Sequence, residues 1–158
     1  MLKLIFIVLS FVYTYQISDA AFKGGLRDAM EVSTSGLKAQ TKRISVVSQN
    51  IANAESSGSV PGAQPYRRKV IFLDFAKDRS RGIDIVKVKK VDRDPSAYKV
   101  KFDPHHPAAN DQGYVLYPNV DRTLEAMDAR EAQRSYEANM SMYEISKNME
   151  MRTLDILR

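Results

Sequence analysis

Residues 26–54 read LRDAMEVSTSGLKAQTKRISVVSQNIANA, a stretch without proline and with Gly36 as its single glycine. The positions 33, 40, 47 and 54 hold Ser, Gln, Val and Ala. They alternate along one helical stripe with apolar side chains that recur every seven residues, namely Met30, Leu37, Ile44 and Ile51. This spacing is typical of a coiled-coil seam with weak, polar alternate layers.

Such a seam is too narrow and too polar to hold an isolated helix, because most helical stability in proteins comes from packing of the apolar face. The first helix therefore needs a partner. An ordinary amphipathic helix that faces a core is the other interpretation of the same periodicity.

A second helical segment closes the chain. No Gly or Pro follows Pro118, and Asn119 or Asp121 can cap the start of a helix that continues to Arg158. Leu124 enters its apolar stripe from upstream and Arg152 interrupts the stripe, whose members are Ala138, Met142, Ile145, Met149 and Ile156. Nearly forty helical residues span about 60 Å. We expect the two terminal helices to pair and to leave apolar surface for neighbours.

The middle of the chain predicts β structure. Between a loop at residues 55–64 and the second helix, strands are predicted at residues 68–75, 83–91, 98–102 and 114–117. In the third of these, Tyr98, Val100 and Phe102 alternate with Lys99 and Lys101, which predicts an aromatic core beneath a solvated lysine face. The predicted fold class is α+β, with long terminal helices forming a coiled-coil-like assembly domain around a small antiparallel β module.

These elements divide the chain into four predicted regions: an apolar extension (1–20), an N-terminal helical segment (21–58), a β-rich module (59–118) and a C-terminal helical segment (119–158). The extension has the lysine, apolar run and small residues of a secretory signal peptide, which predicts cleavage near Ala21. A buried or interfacial helix, or a start codon placed too far upstream, are the other interpretations.

The chain shows little that points to catalysis. It has no cysteine, and His105 and His106 are its only histidines. It also lacks a glycine-rich phosphate loop and a serine nucleophile elbow. The prediction is a protein that is not an enzyme, with no cofactor, metal, nucleic acid or small-molecule substrate.

Charge is uneven, because residues 67–101 hold 12 Lys and Arg against 5 Asp and Glu. Binding of an anionic polymer to a basic β face is therefore one hypothesis for a secreted, non-enzymatic protein. A hydrolase acting through His105 or His106 is a weaker third hypothesis.

Several motifs resemble the axial proteins of the bacterial flagellum. The amino-terminal signature of that family is matched by SGLKAQ at residues 35–40, Arg43 and QNIANA at residues 49–54. Three further stretches narrow the match to the rod proteins of the basal body: QPYR (64–67), DPHHPAANDQGYV (103–115) and PNVD (118–121). RSYEAN at residues 134–139 also resembles the final helix of that family.

This resemblance implies a structural subunit of the proximal rod, in the periplasmic part of the flagellar basal body. It implies export through the flagellar type III apparatus and polymerisation through the terminal helices into a drive shaft that transmits torque. The implied partners are further copies of the chain, other rod subunits, ring and adaptor proteins of the basal body, and the export apparatus.

The resemblance also implies that Asn50 and Asn53 fix the end of the first helix by hydrogen bonds to local backbone. The complete set of residues expected at the assembly interface is Met30, Leu37, Ile44, Val47, Asn50, Ile51, Asn53, Ala138, Met142, Ile145, Met149 and Ile156.

Overall fold

The computed structural model describes the backbone of residues 2–156 and the side chains of residues 24–156. In chain order its elements are α1 (Leu2–Ala52), β1 (Lys69–Lys77), β2 (Asp84–Arg93), β3 (Lys99–Phe102), β4 (Tyr114–Tyr117) and α2 (Arg122–Ile156). Two long helices thus enclose a β-rich middle, which confirms the α+β class. The signal-peptide prediction concerns side chains outside those described. Within the stretch of described side chains, no helix is long and apolar enough to cross a membrane.

The two helices pack side by side in antiparallel directions. Arg27, near the first described side chain of α1, pairs with Glu150 close to the end of α2. Arg43, further along α1, pairs with Asp128 near the start of α2. Close approach is possible between these pairs because a Cβ atom at Gly36 would lie only 2.7 Å from the side chain of Asn139. Buried α2 residues on this seam are charged or small: Glu125, Ala132 and Ser146.

The buried face of α1 is wider than the predicted heptad stripe. Met30, Leu37, Ile44 and Ile51 are each only partly covered, whereas the buried positions include Ser35, Ala39, Val46, Val47 and Asn50. The shift arises because α1 packs on two elements: α2 covers one side and the β1–β2 hairpin covers the next. A seven-residue repeat describes one contact and cannot show the second.

The antiparallel middle consists of two separate hairpins. β1 pairs with β2 with a register shift between Phe72 and Leu73, and β3 pairs with β4. The β1–β2 hairpin lies against α1, where Ile85 is buried and the backbone N–H of Val86 donates to the Ser35 hydroxyl (3.1 Å).

The predicted aromatic core of β3 is wrong. Val100 and Phe102 are 60% and 66% exposed, whereas Lys99 and Lys101, which are also exposed, lie on the side of buried Val115. There Lys99 donates from Nζ to the carbonyl of Val120 (2.7 Å), and the neighbouring buried apolar side chain is Val115. The alternation separates the two faces correctly. It does not show which face packs on the protein, because a long lysine side chain can run inward and donate to a backbone carbonyl.

Asp121 is the N-cap of α2, one of the two predicted candidates. Its carboxylate accepts hydrogen bonds from the backbone N–H groups of Thr123 (2.8 Å) and Leu124 (3.3 Å). These bonds, first that of Leu124 and then that of Thr123, hold the pKa of Asp121 below its ordinary value.

Gly36 provides the first test of the helix pair. Gly36→Val should lower the free energy of unfolding by about 1–3 kcal/mol, because the new side chain overlaps Asn139. The control is Gly25→Val, where an added Cβ atom meets no atom of the described residues within 4 Å. Urea unfolding of both variants measures the difference. Equal losses would contradict close packing, as would failure of Asn139→Ala to rescue Gly36→Val.

Asp121 provides the second test. Its pKa is lower in the folded protein than in the unfolded chain, so its contribution is complete above the unfolded pKa and is lost as the pH falls through the folded pKa. Asp121→Ala should therefore melt at a lower temperature than wild type near neutral pH, and the gap should narrow in acid. Thermal unfolding followed by circular dichroism measures this gap. A gap that does not change with pH, or an equal gap for the exposed control Asp111→Ala, would argue against the cap.

Candidate assembly surface

One face of α2 is apolar and open to solvent. Five of its large side chains, Leu124, Met127, Met142, Ile145 and Met149, are 47% to 63% exposed, and Ile156 is 85% exposed. We call these six residues together with exposed Ala138 the α2 stripe. Exposed apolar surface of this kind marks interaction sites on soluble proteins.

The α2 stripe is separate from the seam that joins the helices. The buried seam positions of α2 carry a carboxylate and small residues, with Asn139 beside Gly36 and half-buried Tyr136 against α1, whereas the stripe is exposed. The intramolecular contact thus uses the polar side of α2 and leaves its apolar side free. This is the arrangement needed by a subunit that contacts neighbours through α2.

The predicted interface residues of α1 have different surroundings. Val47 is buried within the protein, and the four heptad positions are partly covered. Asn53 donates from Nδ2 to the carbonyl of Gln49 (2.8 Å), a bond to local backbone of the kind that the resemblance implies. The structure places no α1 heptad residue as openly as Met142 or Ile145.

Asn50 does not cap α1 locally as predicted. It is fully buried, and Nδ2 donates to the carbonyl of Lys69 (2.8 Å) and to Glu125 Oε2 (3.0 Å). Its Oδ1 accepts from the Tyr66 hydroxyl (2.9 Å) and from the backbone N–H of Lys69 (2.9 Å). Both amide hydrogens and both lone pairs of Asn50 are thereby used.

Glu125 completes this cluster from the first turn of α2. Its side chain is 1% exposed, and Oε1 accepts a hydrogen bond from Arg68 Nε (2.6 Å). Arg68 also pairs with Asp94, and its backbone N–H donates to Asn119 Oδ1 (2.9 Å). We call Asn50, Tyr66, Arg68, Lys69 and Glu125 the polar junction, because it ties together α1, the start of β1 and the start of α2.

Two pKa values follow from this environment. Burial and then the charge of Glu125 raise the pKa of the Tyr66 hydroxyl, so the phenol stays protonated and donates to Asn50. For Arg68, burial favours the neutral form, but its hydrogen bond and charge attraction to Glu125 prevail and raise its pKa. The neutral Tyr66 hydroxyl and the Arg68–Glu125 ion pair therefore surround the side-chain amide of Asn50.

Sequence reasoning missed Glu125 and Arg68. Asn50 and Tyr66 lie within motifs that drew attention, but neither heptads nor strand alternation connects positions 75 residues apart. The available signal was the position of Glu125, which lies on the same helix face as Ala132 and Ser146. A carboxylate on a face of small residues indicates a buried, paired group.

His106 makes hydrogen bonds through both ring nitrogens. His106 contacts the Ser57 hydroxyl through Nε2 (3.0 Å), while its Nδ1 accepts the backbone N–H of Ala108 (3.1 Å). Among the described residues, no three His, Cys, Asp or Glu side chains cluster in a way that could hold a metal ion.

Comparison with known proteins gives consistent matches. Residues 30–58 match the family model described as flagella basal body rod protein, and residues 111–156 match the flagellar basal body rod FlgEFG protein C-terminal model.

Similar proteins carry the name flagellar basal-body rod protein FlgC. That of Agrobacterium fabrum is 41% identical over 133 residues, covering 84% of this chain and 96% of its own. That of Bacillus subtilis is 37% identical over 81% of this chain and 95% of its own, and that of Borreliella burgdorferi is 36% identical over 85% and 99%.

The polar junction predicts a strong imbalance between single and double substitutions. Arg68→Met should lower the free energy of unfolding by about 3 kcal/mol, because it leaves the buried carboxylate of Glu125 without its cation. Adding Glu125→Gln removes the uncompensated charge and should restore part of that loss. Urea denaturation compares the two.

The matched control is Arg122→Met, which removes an exposed pair with Glu55 at 3.8 Å and should cost less than about 1 kcal/mol. If the double variant is as unstable as the sum of its single substitutions, Arg68 and Glu125 do not act as a pair.

Proposed function

The chain belongs to the FlgC family of flagellar basal-body rod proteins, and from this membership we propose that its two terminal helices build it into the rod. It is a structural subunit of the basal-body rod. The observation that carries the proposal is the α2 stripe, which the fold exposes although its residues are among the most apolar of the helix.

The division of labour on α2 supports this assembly mode. Hydrogen bonds and ion pairs hold α2 against α1, so that contact does not consume the apolar side chains. Burial of a Met, Leu or Ile side chain contributes about 1.5–3 kcal/mol. Six such side chains per copy, buried between subunits, supply enough free energy to hold a polymer together.

The heptad row of α1 offers a second, weaker contact. Met30, Leu37, Ile44 and Ile51 are partly covered in the single chain, so additional burial by a neighbour remains available to each. We propose that this row and the α2 stripe are the contacts between subunits of the polymer, with Val47, Asn50 and Asn53 fixing the shape of α1 from within the subunit.

The partners follow from the same assembly. A rod subunit assembles with other flagellar components; we propose further copies of this chain and other rod subunits as its lateral neighbours. Ring and adaptor proteins, and the type III export apparatus that delivers the subunit, are proposed as its contacts outside the rod. The role is to transmit torque, and it needs no catalytic centre.

Binding of an anionic polymer gains no support from the relatives. Several cations of the basic region already have partners in the chain, since Lys89 pairs with Asp74 and Lys90 pairs with Asp92. These pairs reduce the field that a polyanion would meet.

The α2 stripe predicts the effect of a charge. Ile145→Glu should abolish rod assembly and swimming, because burying an unpaired carboxylate costs several kcal/mol at every copy of the contact. The isolated subunit should keep its circular dichroism spectrum and melting temperature, since Ile145 is 47% exposed in the single chain. Soft-agar motility and recovery of the subunit in purified basal bodies measure assembly.

The matched control is Gln133→Glu, the same charge change at an exposed position of α2 on the side opposite the stripe. It should swim. Normal motility of Ile145→Glu would remove the stripe from the assembly interface.

A further inference from the structure

The β3–β4 hairpin carries an exposed apolar face that the terminal helices do not explain. Its cross-strand pairs Val100↔Leu116 and Phe102↔Tyr114 place four apolar or aromatic side chains on one side. They are 60%, 42%, 66% and 45% exposed in that order, and the two rings meet edge to face at 5.4 Å. We call these four residues the β ribbon.

A two-stranded ribbon is at best marginally stable in water, so a bare apolar face on one needs cover. The opposite face is already packed, with Val115 buried and Lys99 bonded to the Val120 carbonyl. The α2 stripe of the same chain does not provide the cover, because both surfaces are exposed together. Among the side chains that the structure describes, none provides this cover.

The size of the β ribbon matches part of the α2 stripe. Two residues along each strand extend about 7 Å, on strands about 4.8 Å apart. Met142, Ile145 and Met149 cover about 10 Å of helix. Two turns of α2 therefore span the ribbon. The chemistry also fits, because methionine sulfur packs favourably against aromatic rings.

Charge complementarity points the same way. The loop that closes the ribbon, residues 103–113, contains Asp103 and Asp111 and no Lys or Arg. One flank of the α2 stripe carries three exposed arginines: Arg130, Arg134 and Arg152. None of these five charged side chains forms an ion pair with another residue of the described part of the chain.

We propose that the β ribbon of one copy packs on the α2 stripe of a second copy, with the acidic 103–113 loop against the arginine flank. This inference rests on the proposed assembly through α2 and names the surface that covers it. The two surfaces are different, so the contact is heterologous and repeats head to tail. Such a contact generates an open helical polymer where the rotation does not close a ring.

Cross-linking tests this contact directly, because the chain has no cysteine of its own. A chain carrying Val100→Cys and Ile145→Cys is incorporated into rods, and purified basal bodies are treated with a short bis-maleimide. Each copy then carries one thiol of each kind, so the expected product is a ladder of dimers and higher multimers. Leu116→Cys with Met142→Cys is a second pair for the same contact.

Matched controls define the result. Each single-cysteine chain and the pair Val100→Cys with Gln133→Cys should remain monomeric, since Gln133 lies on the other side of α2. The added substitution Asp111→Lys should weaken the ladder of the test pair, because it places like charge against the arginine flank. A ladder from any control, or a ladder that Asp111→Lys leaves unchanged, overturns the proposal.

Two further outcomes also overturn it. A cross-linked product of monomer size places the two surfaces in one chain. Basal bodies that contain the subunit but give no ladder with either pair place another rod protein on the ribbon. A different result would contradict the proposed function itself, namely absence of the wild-type protein from purified basal bodies.

Discussion

The hydrogen bond between the Asn50 amide and the Glu125 carboxylate is the contact on which the rest of the structure depends. It joins the last turns of α1 to the first turn of α2 and brings the start of β1 to the same point. A buried carboxylate is tolerated only where it is paired and hydrogen-bonded, and here Arg68 and Asn50 meet both conditions. From this point the antiparallel course of the helices is set, and the β1–β2 hairpin starts from backbone that the junction holds.

Along α2, the usual arrangement of apolar side chains inside and polar side chains outside is reversed. The buried seam residues of this helix are Glu125, Ala132 and Ser146, whereas six of its large apolar side chains are exposed to solvent. Polar contacts confer specificity more than free energy, because each replaces a contact with water. The single chain thus gains a defined shape from its polar seam, while the stronger apolar term remains for contacts between copies. A chain whose helices paired through the stripe would be more stable alone and would have nothing left with which to assemble.

Much of this architecture could be predicted from the sequence, for identifiable reasons. The second helix is predicted by local and periodic signals: the absence of Gly and Pro after Pro118, the Asp121 cap and the stripe from Ala138 to Ile156. The structure has this helix, with Asp121 as its cap. The hairpins follow from turn residues and alternation. The contacts of Asn50 could not be predicted because its partners are distant in sequence. The buried face of β3 could not be predicted because an alternating pattern does not show which of its two faces packs on the protein. Glu125 was missed because its ion pair joins two elements, which neither pattern describes.

The contacts along the helix pair also determine how the subunit responds to shear. Arg27–Glu150, Arg43–Asp128 and Asn50–Glu125 are spread along the seam, and Gly36 lies against Asn139 between them. Sliding one helix past the other by a turn, about 5.4 Å, would separate all of these pairs at once. These spaced contacts therefore define one register for the pair, and shear along the helix axes acts against all of them together.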